Sequence, residues 1–187
     1  LGSTTVICSD KTGTLTQNKM TVKKIFFNNN LVNLDEINTN EINPELERLV
    51  HISIFCNDTK VATDKTLTGD PTETALVDMS FNLDFEPSIL EEFPRVKELP
   101  FDSERKLMTT VHKVGDKYAV YTKGGVDELL AKCNRYVING EIKQDIFEYR
   151  KEIEKQNGEM AKDALRVLAM AYKELDHEPT DEEMNTI

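Results

Sequence analysis

The feature that most restricts this chain lies near its start. A short β-prone run, residues 4–9 (Thr4, Thr5, Val6, Ile7, Cys8, Ser9), stops at Asp10, and a turn rich in hydroxyls and glycine follows, Lys11-Thr12-Gly13-Thr14-Leu15-Thr16. Such a pattern puts Asp10 at the carboxyl end of a strand, where open α/β sheets place their ligands. The chain therefore has to build an α/β arrangement around a functional carboxylate.

Its 187 residues suffice for one hydrophobic core with short additions. A formal net charge of −11 argues against a nucleic-acid partner, because that binding relies on lysine and arginine neutralising phosphates. The acids are dispersed and read as a solvated surface. Cys8, Cys56 and Cys133 are odd in number and lack metal-type spacing, so neither a disulfide framework nor a zinc site is indicated, and a reducing, cytoplasmic setting is expected. No apolar run approaches the roughly 18 to 20 residues of a membrane span, and the first residues carry no signal-peptide pattern.

The remaining elements read off periodicity. A β-prone stretch over 20–27 ends in an asparagine turn, and 31–38 offers only weak structure. A helix starts near Pro44 with Leu46, Leu49, Val50 and Ile54 on one face, and a second runs over 71–81 with Ala75, Leu76 and Met79 inward, the two joined by a loop over 59–68. A third, short helix covers 86–93. Strands follow over 95–99, 106–114 and 117–123, the last two joined by a Gly115-Asp116 hairpin turn. A brief helix over 126–133, a strand over 135–138, an Asn139-Gly140 turn, a long helix over 146–165 and a strand over 166–172 complete the pattern. The acidic remainder, residues 176–187, reads as linker or frayed end.

Asp10-Lys11-Thr12-Gly13-Thr14-Leu15-Thr16 reproduces in full the motif of the P-type ATPases, and the chain is identified by resemblance as a member of that family, nearest the bacterial calcium-transporting branch of type II. The resemblance implies that Asp10 is the nucleophile that takes the terminal phosphoryl group of ATP, with Lys11 and Thr12 beside it. It also implies that Asp10 and the backbone carbonyl of Thr12 hold Mg²⁺. A carboxylate suits this role because its phosphorylation and later hydrolysis are separate, controllable steps, and positioning with charge compensation supplies most of the catalysis of phosphoryl transfer.

Further patches carry the resemblance in the same order as in the family. Gly69-Asp70-Pro71-Thr72-Glu73 is similar to the nucleotide-domain segment whose glutamate lies near the adenine amino group, although Thr72 and Glu73 would equally suit a helix's first turn. Pro100-Phe101-Asp102-Ser103-Glu104-Arg105-Lys106 resembles the segment whose phenylalanine stacks on adenine and whose lysine borders the pocket; Ser103 stands where some relatives have a basic residue. Tyr121-Thr122-Lys123-Gly124-Gly125 resembles a Lys-Gly-Ala strand end, with Val126 and Asp127 replacing the usual proline and glutamate. Arg166 corresponds to an arginine that reaches the nucleotide phosphates. Nucleotide contacts are thus expected at Glu73, Phe101, Lys106, Lys123, Gly124 and Arg166.

The implied fold is α/β (α+β): an antiparallel twisted sheet flanked by helices, preceded by a partial phosphorylation-domain strand. The expected division is 1–18 for that strand and hinge, 19–175 for the nucleotide-binding domain, and 176–187 for the acidic linker. Thr68-Gly69-Asp70 mimics the family's Thr-Gly-Asp motif by chance, within the nucleotide-domain element. The two downstream phosphorylation-domain elements that the family needs, a Thr-Gly-Asp and a Gly-Asp-Gly-Val-Asn-Asp, are missing here, so the fragment is expected to bind ATP without efficient turnover. Its implied partners are the phosphorylation, actuator and membrane domains of the same polypeptide, which makes it the cytoplasmic domain of an integral membrane pump. Two other classes stay open from the residues: a soluble phosphatase or phosphotransferase of the haloacid dehalogenase type, and a non-catalytic regulatory module.

Overall fold

The computed structural model describes residues 19–86 and 88–186. The strand, turn and site residues expected around Asp10 therefore lie outside the described residues.

The first elements form a hairpin, β1 (Lys24–Phe27) against β2 (Asn30–Asn33). Asn28 and Asn29 between them have φ of 48° and 60°, the left-handed geometry that a two-residue hairpin turn requires and that asparagine tolerates. That turn folds part of the expected weak stretch back into a paired strand.

Helix α1 (Pro44–Phe55) begins as its sequence dictates. Pro44 occupies the first turn, and the Asn43 side chain accepts from the Leu46 N–H at 2.9 Å. Its buried residues include Leu46, Val50, Ile52, Ile54 and Phe55. The expected loop that follows contains a minimal hairpin, β3 (Lys60–Val61) with β4 (Leu67–Thr68). Helix α2 (Pro71–Asn82) is capped by Asp70, whose side chain accepts from the Thr72 N–H, and α3 (Ile89–Glu92) is a single turn.

The central sheet contains β5 (Arg95–Asp102), β6 (Leu107–Val114), β7 (Lys117–Gly124) and β10 (Ala169–Leu175), antiparallel throughout in the order β10-β7-β6-β5. Between β7 and β10 lie α4 (Val126–Lys132), the hairpin β8 (Tyr136–Ile138) with β9 (Glu141–Lys143), and α5 (Ile146–Lys162). The architecture is the expected antiparallel sheet flanked by helices.

Strand alternation assigns the two faces of this sheet. On the inner face Met108 packs with Ile52 and Cys56 of the α1 end, supported by Tyr121, Met170 and Tyr172. Phe55 is the hub of an aromatic cluster there, with ring centroids 4.9 Å from His112, 5.7 Å from Tyr121 and 5.9 Å from Phe93. Behind α1, a second core joins Leu46 and Val50 to Met79 and Leu83 of the α2 end and Ile25 of β1. The layers thus run α2, α1, sheet.

The outer face is covered by a segment whose sequence gave no such indication. Residues 181–186, expected as linker, form α6 (Asp181–Thr186), and its Met184 is only 3 % exposed, packed on Val111 and Val120 with Leu99, Tyr118 and Leu175 around it. Lys97 of β5 forms an ion pair with Asp181 at the start of the helix, at 2.7 Å. Two further boundaries differ from expectation. Helix α5 stops at Lys162 because Ala164 adopts φ of 57° and the Leu165 N–H turns back to the Met160 carbonyl at 3.1 Å, a capping geometry that glycine usually signals. The last strand then starts at Ala169, which leaves Arg166 in the connection before it.

Candidate functional site

Sheet register collects most of the expected site residues at one end. Asp102 pairs with Leu107, Leu107 with Gly124, and Gly124 with Ala169. This row across four strands carries Phe101 and Lys106 on either side of the β5–β6 turn, Lys123 and Gly124 at the end of β7, and Arg166 three residues ahead of β10. The sequence separates these groups by up to 65 residues; antiparallel pairing alone brings them together.

Lys123 lies on the inner face and reaches α2. Its ammonium contacts Glu73 Oε1 at 2.5 Å, with side-chain exposures of 7 % for the lysine and 16 % for the glutamate. The second carboxylate oxygen accepts from the Asp58 N–H at 3.2 Å. Glu73 sits in the first turn of α2, where the helix dipole also favours a negative charge. Both charged groups are therefore held in a partly desolvated place by specific partners, an arrangement typical of functional sites.

The row's backbone is tight. A Cβ on Gly124 would strike the Lys106 carbonyl oxygen and approach Leu107 Cδ2 to 2.8 Å, and the Gly125 N–H donates to the same carbonyl at 3.1 Å. Only glycine fits at position 124. Lys106, with φ of 55°, closes the turn and extends its amine to Glu128 of α4 at 2.5 Å. That hydrogen bond raises the Lys106 pKa and lowers that of Glu128.

Phe101 is 57 % exposed, the opposite of a core phenylalanine. It occupies the irregular stretch between the Leu99 and Asp102 pairings. The Arg105 guanidinium holds that stretch from behind, its Nη2 lying 3.3 Å from the carbonyls of Leu99 and Pro100 and 3.0 Å from that of Leu107. Asp102 completes the turn by accepting from the N–H groups of Glu104 and Arg105. An open depression lies beside Phe101 toward α6, lined by Leu99, Pro100, Asp102, Arg105 and Asn185, on the side of the sheet away from Glu73. Arg166 is exposed and makes no hydrogen bond or ion pair with another described residue.

An exposed aromatic face, a fixed carboxylate and several cationic side chains along one sheet end form a set of groups suited to a ligand with both a ring and negative charge. The sequence matches the family model of the P-type ATPase, cytoplasmic domain N, over residues 45–187. This chain belongs to the P-type ATPases. Over 97 % of its length it is 43 % identical to a calcium-transporting ATPase of Listeria monocytogenes and 40 % identical to calcium-transporting ATPase 1 of Bacillus cereus; calcium-transporting ATPase 1 of Lactococcus lactis is 39 % identical over the same share. The chain spans about one fifth of each of these relatives, 21 %, 20 % and 20 %.

Of the expected site residues in this P-type ATPase domain, Glu73 and Lys123 are joined directly, Lys106 and Gly124 meet at the adjoining turn, and Phe101 and Arg166 flank the same sheet end. Asp10, Lys11 and Thr12, with the Mg²⁺ site expected of Asp10 and Thr12, lie outside the described residues. Among the described residues no group of three or more histidine, cysteine or acidic side chains is placed to hold a metal ion, and no helix is long and apolar enough to cross a membrane. Sequence reasoning passed over Arg105, Glu128 and the Asn57-Asp58 turn. The last carried a signal, two turn-forming polar residues directly after an apolar helix end.

Proposed function

We propose that this domain binds ATP for a cation pump, with adenine against Phe101, its amino group toward Glu73, and the phosphates bordered by Lys106, Lys123, Gly124 and Arg166. In the whole pump an oxygen of the Asp10 carboxylate attacks the γ-phosphorus of ATP. The bond to the β-phosphate oxygen breaks, ADP leaves, and the aspartyl-phosphate drives ion transport across the membrane. Lys11 and Thr12, next to Asp10 in the sequence, would assist the transfer, and Mg²⁺ would be held by Asp10 and the backbone carbonyl of Thr12, where it would offset charge on the phosphates. The transported ion is Ca²⁺, in keeping with the names of the bacterial relatives.

The observation that carries this reading is the exposed Phe101 ring at the same sheet end as Lys106, Lys123 and Gly124. An aromatic platform next to fixed cations suits a base joined to a polyphosphate. The exposed Lys106 can exchange its Glu128 partner for a phosphate with little rearrangement, since both are oxyanions. The phosphatase alternative receives no support from the matched family or these relatives.

The test is phosphorylation of the full-length pump by ATP labelled at the γ-position. Acid-stable, hydroxylamine-labile label that requires Ca²⁺ and disappears in Asp10→Asn is expected. Label that persists in Asp10→Asn would overturn the assignment of the nucleophile, and labelling indifferent to Ca²⁺ would overturn the ion.

A further inference from the structure

The turn that leaves α1 does more than join two helices. Asn57, 7 % exposed, donates both amide hydrogens of its side chain to carbonyls, to Ser53 at 2.9 Å and to Glu73 at 3.0 Å, while its Oδ1 accepts from the Thr59 N–H at 2.8 Å. The next residue contributes its backbone N–H to Glu73 Oε2. Arg95 of β5 locks this turn from the other side: its guanidinium donates to the Asn57 carbonyl at 2.6 Å and to the Asp58 carboxylate at 2.7 Å. Every polar atom of the Asn57 side chain is thus committed, and two of its three bonds fix Glu73 or the backbone running to the Asp58 donor.

The consequence falls on the Glu73 carboxylate. A carboxylate offers about four lone-pair positions. Lys123 takes one on Oε1 and the Asp58 N–H takes one on Oε2, so the group is clamped in orientation with acceptor capacity left over. A clamped, ionised acceptor attracts an amino group and repels a carbonyl oxygen placed at the same spot; a loose carboxylate would swing away from the repulsion and discriminate less.

We propose that Asn57 is a positioning residue that sets the base preference of the site, holding Glu73 so that a 6-amino purine is accepted and a 6-keto purine refused. This rests on the proposed reading of Glu73 as the group that faces the base. Asparagine is the residue the position needs, because aspartate would turn an oxygen toward the Ser53 and Glu73 carbonyls, and alanine would remove the Asn57 donor from both and the Asn57 acceptor from the Thr59 N–H.

The experiment compares binding of ATP and inosine triphosphate, which differ at the 6-position, to the wild-type chain, Asn57→Asp, Asn57→Ala and Glu73→Gln. The readout is the affinity ratio. Partial unfolding weakens both nucleotides by the same factor and leaves the ratio unchanged, so a role confined to stability does not move it. The wild type is expected to prefer ATP by about tenfold or more. Either Asn57 variant, like Glu73→Gln, should reduce the preference to roughly threefold or less, and Asn57→Asp should change nothing further in the Glu73→Gln background. A preference that survives both Asn57 substitutions but is lost in Glu73→Gln would overturn the positioning role and leave the base contact standing. A wild type that binds both nucleotides equally would overturn the Glu73 contact itself, and the positioning role with it.

Discussion

Glu73 and Lys123 carry opposite charges into a place where water screens them poorly, so each depends on the other. Removing one partner of such a pair leaves an uncompensated charge and costs roughly 3 to 5 kcal/mol when burial is deep, whereas removing both is far milder. Glu73 keeps some exposure, 16 %, so Glu73→Ala should fall near the lower end, about 3 kcal/mol. The double variant Glu73→Ala/Lys123→Met should recover more than half of that loss in urea unfolding; equal destabilisation by single and double variants would show that the pair is not coupled. Lys123 itself was legible in the sequence, because a lysine followed by two glycines at a strand end implies a close backbone approach. So was Glu73 as a site residue, but their pairing was not. Fifty residues separate the two, and their meeting depends on α2 stacking over α1, which no local pattern encodes.

At the level of elements, α6 shows how composition can hide a packing role. Its residues are mostly acidic or polar, and a single methionine among them does not make a periodic apolar face, yet Met184 seals the outer core over Val111 and Val120. The Lys97–Asp181 pair is exposed on the aspartate side, 97 %, and contributes little by itself. Most of what α6 contributes must therefore come from Met184. Met184→Ala should cost about 2 kcal/mol or more, and Asp181→Asn within roughly 0.5 kcal/mol of nothing. Thermal unfolding of the two variants checks this, and a larger effect from Asp181→Asn would reverse the assignment. The strands β5, β6 and β7 and the helices α1 and α2 were legible because hydrophobic period and capping residues agree there. The end of α5 was not, since alanine at a left-handed position carries no glycine signal, and β9 was missed because Glu141, Ile142 and Lys143 are all exposed and alternate without a buried face.

Across the whole molecule, stability should respond to pH through two histidines, the buried His112 and the half-buried His51. Burial lowers the pKa of both His112 and His51 below the ordinary 6.5. His112 holds its Nδ1 3.0 Å from the Phe93 carbonyl and stands near Arg95, which also disfavours its charged form; around His51, Glu47 works against the lowering and Arg48 with it. The unfolded chain therefore binds protons on these groups before the folded chain does. Their contribution is complete above about pH 6.5 and is lost as pH falls toward the depressed folded values. Urea midpoints should drop between pH 6.5 and 5, where the carboxylates, with ordinary values of 4.5 or below, have not yet begun to titrate strongly. His112→Gln should flatten the slope, and an unchanged slope would move the effect elsewhere.

On the proposed function, ATP is received at one end of the sheet, built from Phe101, Lys106, Lys123, Gly124 and Glu73. The most direct test of this is a titration of the isotopically labelled chain with ATP, following backbone amides, beside the same titration of Phe101→Ala. Because Phe101 is 57 % exposed, the variant should unfold like the wild type to within roughly 0.5 kcal/mol. Loss of a stacking contact worth about 1 to 3 kcal/mol should weaken binding by at least about fivefold. Saturable shifts at Glu73, Lys106, Lys123 and Gly124 that move to higher ATP in Phe101→Ala are the predicted result. An absence of shifts at millimolar ATP, or shifts that ignore the loss of Phe101, would contradict it.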